Sequence, residues 1–87
     1  MSTPIITLEV AGKELKFAPT MVAYNSYIND LMPGDKVAPS HNYLRKIACG
    51  ESKAALDELL TRPGAALQLA GAVNEQFAPT LDITIKN

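Results

Sequence analysis

The sequence predicts an α+β fold, with an N-terminal β-hairpin, three to four short α-helices and a C-terminal β-strand that joins the sheet of the hairpin. Three observations lead to this prediction. Apolar and polar residues alternate at both ends of the chain, which is typical of half-buried strands. Between the ends, apolar residues recur at spacings of three and four, which is typical of helices. Residues that break regular structure, among them the pairs Pro33-Gly34 and Pro63-Gly64, separate these stretches.

The N-terminal hairpin is predicted from two alternating stretches. In Ile5–Val10 the apolar residues at positions 6, 8 and 10 share one side, and Leu15 and Phe17 alternate with Lys16. Gly12 lies between the two stretches and can take a positive φ in a tight turn. A lone hairpin is marginally stable in water, so its apolar face must be covered by a helix or by another strand.

The first helix is predicted from Met21 to about Met32, with Thr20 as its N-cap. The spacing of the apolar residues places four of them on one face, namely Met21, Tyr24, Ile28 and Leu31. The turn at residues 33–36 then ends the helix.

The second helix is predicted to start near Pro39 or Ser40 and to stop at Gly50, which suits a left-handed position after a helix end. Ser52 is the predicted N-cap of a short third helix. The inward residues of the second helix are Tyr43, Leu44, Ile47 and Ala48, and those of the third are Leu56, Leu59 and Leu60.

The fourth helix is predicted over residues 65–78, between the breakers at 62–64 and Pro79. Its apolar stripe consists of Ala66, Leu69, Ala70, Val73 and Phe77, and Leu67 lies off that stripe. After Pro79 the apolar residues Leu81, Ile83 and Ile85 alternate with polar ones, which predicts the third strand. If it did not pair with the hairpin, this segment would present an exposed apolar edge to another chain.

The composition indicates one domain over residues 1–87. Apolar residues make up 47% of the chain and charged residues 20%, which excludes a disordered protein. A chain of 87 residues buries about 60% of its unfolded surface, enough for one modest core. The single Cys49 cannot close an intrachain disulfide, and no stretch resembles a signal peptide or a membrane span. We therefore expect a cytoplasmic protein that contacts no membrane.

No set of residues predicts catalysis. His41 and Cys49 are a possible base and nucleophile, but eight residues on one helix separate them by about 12 Å. One His and one Cys cannot complete a metal site, and no glycine-rich loop matches a phosphate-binding pattern. We therefore predict a protein that is not an enzyme, with no catalytic, metal-binding or cofactor-binding residues, no cofactor and no small-molecule substrate.

A surface for protein partners is predicted instead. Tyr and Met are enriched at protein interfaces, and the first helix carries more of them than a small core can hide. The candidate partner-binding residues are Met21, Tyr24, Tyr27, Leu31, Met32 and Leu67.

The order of short segments along the chain resembles a small family of phage tail assembly chaperones. The segments that carry the resemblance are Val10–Lys13, Phe17–Thr20, Ala23–Asn29, Lys36–Pro39, His41–Arg45 and Arg62–Leu69. The resemblance implies a factor of the infected host's cytoplasm that binds the tape measure protein, keeps it soluble and helps to recruit tail tube subunits. It also implies self-association, a mostly helical fold and absence from the mature virion.

Two other functions stay open at the level of the sequence. The first is a small DNA-binding regulator that uses the helix around Tyr43 for recognition. Residues 36–62 carry five basic and three acidic side chains, a small surplus, and the net charge of the whole chain is −1; we therefore predict no nucleic-acid partner. The second is a structural tail-completion protein that stays in the virion.

Overall fold

A computed structural model describes residues 4–86 and has a two-stranded antiparallel sheet beside four α-helices within that range. The elements are β1 Ile6–Val10, β2 Lys13–Phe17, α1 Met21–Asp30, α2 Val37–Ile47, a 3-10 helix Gly50–Ser52, α3 Lys53–Leu59 and α4 Ala65–Phe77. The predicted α+β class, the hairpin and the helices are confirmed.

The hairpin closes through a two-residue turn. In its register Ile6 lies opposite Phe17 and Val10 lies opposite Lys13. Both turn residues have positive φ, 52° at Ala11 and 78° at Gly12, as a type I′ turn requires. Glycine adopts this conformation without strain, whereas alanine in it costs about 1 kcal/mol.

The outer edge of β2 is held by the segment that follows α2. The backbone N–H of Cys49 donates to the carbonyl of Lys16 over 2.9 Å, and that of Ala18 donates to Ile47 over 2.8 Å. The Lys16 N–H itself donates to the Ser52 hydroxyl oxygen over 2.8 Å. Ser52 therefore occupies the predicted N-cap position of α3, but its buried hydroxyl accepts the hydrogen bond from β2 and makes no capping bond.

One apolar core joins the hairpin to all four helices. Its buried members are Leu15, Phe17, Ala23, Tyr43, Leu44, Ile47, Ala48, Leu56, Leu59, Ala66, Leu69, Ala70 and Val73. The apolar residues of β1 are half-buried against this core. The inward positions predicted for the hairpin and for α2, α3 and α4 are thus confirmed, with Leu60 and Phe77 at the half-buried margin.

Some helix ends differ from prediction. The Thr20 hydroxyl accepts the Ala23 N–H over 3.1 Å, which confirms the N-cap of α1, but α1 ends at Asp30. α2 begins at Val37, so Pro39 lies in its first turn, where a missing N–H leaves no helical bond unmade. Gly50 starts the 3-10 helix and is not a left-handed helix terminator.

The predicted C-terminal strand is wrong. Residues 79–86 adopt no regular structure, and within residues 4–86 the sheet contains β1 and β2 only. The side chains of Leu81, Ile83 and Ile85 are 74%, 76% and 80% exposed. Alternation describes the two faces of a segment, but a strand also needs a backbone partner, and this segment finds none in the described chain.

Candidate partner-binding surfaces

The inner side of α1 is an aromatic junction with α2 and α4. Tyr27 stacks on Tyr43 with ring centroids 4.7 Å apart and an interplanar angle of 15°. Tyr24 meets Tyr43 edge-on at 6.4 Å and Phe77 edge-on at 6.1 Å. Of the six predicted partner-binding residues, Tyr24 and Tyr27 therefore point inward and are half-buried, as is Leu31.

Two of the tyrosine hydroxyl groups of this junction have hydrogen-bond partners. Tyr43 donates to the side-chain oxygen of Asn74 over 2.9 Å. The buried Ser40 hydroxyl donates to the carbonyl of Lys36 over 2.7 Å, and its oxygen lies 3.3 Å from the Tyr27 hydroxyl. The ring contacts of Tyr24 and Tyr27, together with the Tyr27 hydroxyl beside Ser40, hold this side of α1 against α2 and α4.

The protonation state of Tyr43 fits this structural role. Burial, together with the neighbouring Tyr24 and Tyr27, raises the pKa of Tyr43 to about 12. Its phenol therefore stays neutral and donating at physiological pH, which suits a packing residue and not a general base.

The outer side of α1 is apolar and exposed. Met21 and Val22 at its start are 71% and 78% exposed, and Met32, just after its end, is 62% exposed. Ile28 lies seven residues after Met21 and thus on the same side of the helix, and it too is exposed. These four residues are called the α1 face below. Asn25 and Asn29 are exposed beside them, and no charged residue occurs from Met21 to Asn29.

A second apolar surface lies at the N-terminal end of α2. The start of α2 and the turn between α3 and α4 enclose a groove of about 330 Å³. Val37, Leu60 and Leu67 provide apolar lining, and His41 and Arg62 add polar groups. Val37 and Leu67 are exposed in this groove, which is called the α2–α4 groove below.

The structure thus separates the predicted partner-binding residues into three groups. Met21 and Met32 lie on the α1 face, Leu67 lies in the α2–α4 groove, and the tyrosines with Leu31 lie toward the interior. The sequence reasoning missed the exposure of Val22 and Val37 and placed Ile28 on one face with Tyr24, which the structure turns inward. The available indication was the lack of charged residues from Met21 to Asn29, because no charge fixes which apolar side of α1 must face water.

The described residues offer little for catalysis or metal binding. Cys49 lies after α2 and contributes its backbone N–H to β2, and His41 lines the α2–α4 groove. Residues 4–86 contain no group of three or more His, Cys, Asp or Glu side chains placed to hold a metal ion. In the same range, no helix is long and apolar enough to cross a membrane.

The helix of the DNA-binding alternative is packed into the protein. Tyr43 of α2 is buried against α1 and α4, and the Nε atom of Arg45 lies 3.4 Å from Asp57 Oδ1 on α3. The exposed side of α2 carries Asn42, Arg45 and Lys46. Two cations on this side, in a chain of net charge −1, do not form the basic patch that DNA binding needs.

Comparison with known proteins gives one family and one relative. A family model described as phage tail assembly chaperone matches residues 6–87. An uncharacterized 11.3 kDa protein from the lys 3′ region of Haemophilus phage HP1 (strain HP1c1) is 43% identical over 82 residues, which cover 94% of this chain and 80% of the relative. No solved structure matches the chain.

Proposed function

This chain belongs to the family of phage tail assembly chaperones, and from that premise we propose that it binds the tape measure protein while the tail is assembled. The α1 face carries the proposal. It is an exposed, uncharged apolar surface on a helix whose inner side is held in place by the aromatic junction. A chaperone needs such a surface, because it must cover apolar side chains that its client has not yet buried.

The proposed mechanism is reversible burial without bond chemistry. Amphipathic helices of the tape measure protein lay their apolar sides against the α1 face, and water leaves both surfaces. Met21 and Met32 suit this role, since unbranched thioether side chains adapt to clients of different shape. The mechanism needs no cofactor. Because none of the four residues of the α1 face is charged, we expect the contact to depend little on salt concentration.

The wider role follows from the same premise. The protein acts in the cytoplasm of the host bacterium, associates with further copies of itself and brings the major tail tube protein to the growing tail. It leaves before the virion is complete. A tail-completion protein would stay, so mass spectrometry of purified virions separates the two functions: detection at structural stoichiometry contradicts the chaperone proposal.

The test of client binding is coexpression with the tape measure protein of the same phage. We expect the soluble fraction of that protein to rise several-fold with the wild-type chain and to fall back with Ile28→Glu, which places a charge on the α1 face. Ile5→Glu is the matched control, because it makes the same change at an exposed isoleucine outside α1. Equal solubility of the tape measure protein with and without the wild-type chain would refute the proposal.

A further inference from the structure

Client binding at the α1 face leaves two other apolar features of the structure without a role. The first is the C-terminal tail, residues 79–86, whose three large apolar side chains contact solvent. In an extended chain Leu81, Ile83 and Ile85 all point to one side, about 7 Å apart. The second is the α2–α4 groove, whose apolar lining is open. We propose that the tail of one copy docks in the α2–α4 groove of the next copy.

Chemical complementarity favours this pairing. The groove presents Val37, Leu60 and Leu67 as apolar lining and Arg62 as a cation. The tail presents its apolar side chains with one acidic residue, Asp82, between the first two. Docking would cover Leu81 and Ile83. In an extended tail Asp82 points away from these two side chains, toward the rim of the groove, where the exposed Arg62 is the cation that meets its carboxylate.

The position of the two features favours a second copy over the same chain. Ala66 and Leu67 in the first turn of α4 line the groove, whereas the tail leaves from the last turn of α4. The 13 residues of α4 separate these ends by about 20 Å, whereas the four residues from Phe77 to Leu81 extend at most about 14 Å, too short for Leu81 to reach the first turn of its own α4. The tail is exposed along residues 78–86, and the radius of gyration, 13.9 Å, exceeds the value of about 12 Å for a compact chain of this length.

Tail and groove at opposite ends make the contact head-to-tail. Each copy then has one tail to give and one groove to fill, so assembly closes as a reciprocal two-fold dimer or a larger ring, or continues as an open chain. The inference rests on the self-association included in the proposed function and specifies where one copy meets the next.

The experiment mixes two variants that are each defective on one side. The tail variant carries Leu81→Ser, Ile83→Ser and Ile85→Ser, and the groove variant carries Leu67→Glu. Size-exclusion chromatography with light scattering measures mass over a range of concentrations, and circular dichroism checks that each variant is folded. We expect the wild type to assemble, each variant alone to be monomeric with a dissociation constant at least about 100-fold higher, and the mixture to form a 1:1 heterodimer.

The heterodimer is the decisive species, because the mixture retains one intact tail and one intact groove per pair. Assembly of the tail variant at wild-type affinity overturns the proposal. A mixture that stays monomeric while the wild type assembles overturns it as well. Neither result contradicts client binding at the α1 face. A wild type that is monomeric at every concentration refutes self-association itself.

A second groove variant keeps the test valid if Leu67→Glu does not fold. Arg62→Glu changes an exposed residue and is expected to weaken assembly by about 2- to 5-fold, the range of a surface ion pair. Adding Asp82→Arg to the same chain exchanges the two charges and should restore the wild-type dissociation constant. Failure of the exchange to restore assembly counts against the contact between tail and groove.

Discussion

The two ends of the chain carry the same sequence pattern and have different structures. At the N-terminus, alternating residues form β1 and β2, and Leu15 and Phe17 are fully buried. At the C-terminus, Leu81, Ile83 and Ile85 alternate just as regularly and are exposed. The difference shows that alternation can be read from one segment, whereas a strand also needs a second segment whose backbone forms hydrogen bonds with it.

The hairpin has what the tail lacks. A two-residue turn brings β2 beside β1 at small entropic cost, and the segment after α2 bonds the other edge of β2. The helices then cover its apolar face. Nothing in the described chain offers the tail an equivalent turn or edge, so its apolar side chains stay available to another molecule.

The largest difference in stability between the two regions should come from truncating one apolar side chain in each. Phe17→Ala removes a fully buried ring from the core and should lower the free energy of unfolding by about 3–5 kcal/mol. Ile83→Ala should change it by less than about 0.5 kcal/mol, because its side chain is exposed. Urea unfolding of both variants in dilute solution measures the difference. A cost at Ile83 comparable to that at Phe17 would mean that the tail packs on its own chain.

A medium effect should come from removing one hydroxyl group at each end. Ser52→Ala leaves the Lys16 N–H without its acceptor at the edge of β2 and should cost about 1–3 kcal/mol. Thr84→Ala, in the exposed tail, is the control and should be neutral within about 0.5 kcal/mol. Amide hydrogen exchange at Lys16 should accelerate in the first variant only. If Ser52→Ala were neutral, the hairpin would not depend on this bond at its outer edge.

The smallest effect should come from the turn. Ala11→Asn places a residue that tolerates positive φ where alanine is strained, and it should raise the free energy of unfolding by up to about 1 kcal/mol. Ala78→Asn, at φ −130° beside the tail, has no such strain to relieve and should give no gain. Thermal unfolding of the two variants makes the comparison. Equal melting temperatures would show that the turn strain is relaxed in solution.

Most of the fold could be predicted because its apolar periodicity is unambiguous. In α2, α3 and α4 charged and polar residues mark the outer side, so the inner residues follow from spacing alone. α1 has no charged residue before Asp30, and apolar residues lie on both of its sides. Spacing therefore grouped Met21 with Tyr24, whereas the stacking partner on α2 decides which side turns inward.

Gly50 and Ser52 show where local rules stop. The interpretation of Gly50 as a helix terminator is wrong, whereas Ser52 lies at the N-cap position of α3 as predicted but makes no capping bond. Both residues belong to the segment that runs beside β2, some 35 residues after the strand in the sequence. Local rules cannot anticipate a partner that distant.

The aromatic junction has an experimental consequence. The sequence contains three tyrosines and no tryptophan, and Tyr24, Tyr27 and Tyr43 all meet where α1 rests on α2 and α4. The tyrosine fluorescence of the native chain therefore arises at a single place. It reports on the attachment of α1, the helix proposed to receive the client, and is silent on the hairpin and the tail. The protein thus has a built-in optical probe of its client-binding helix, and no label has to be introduced.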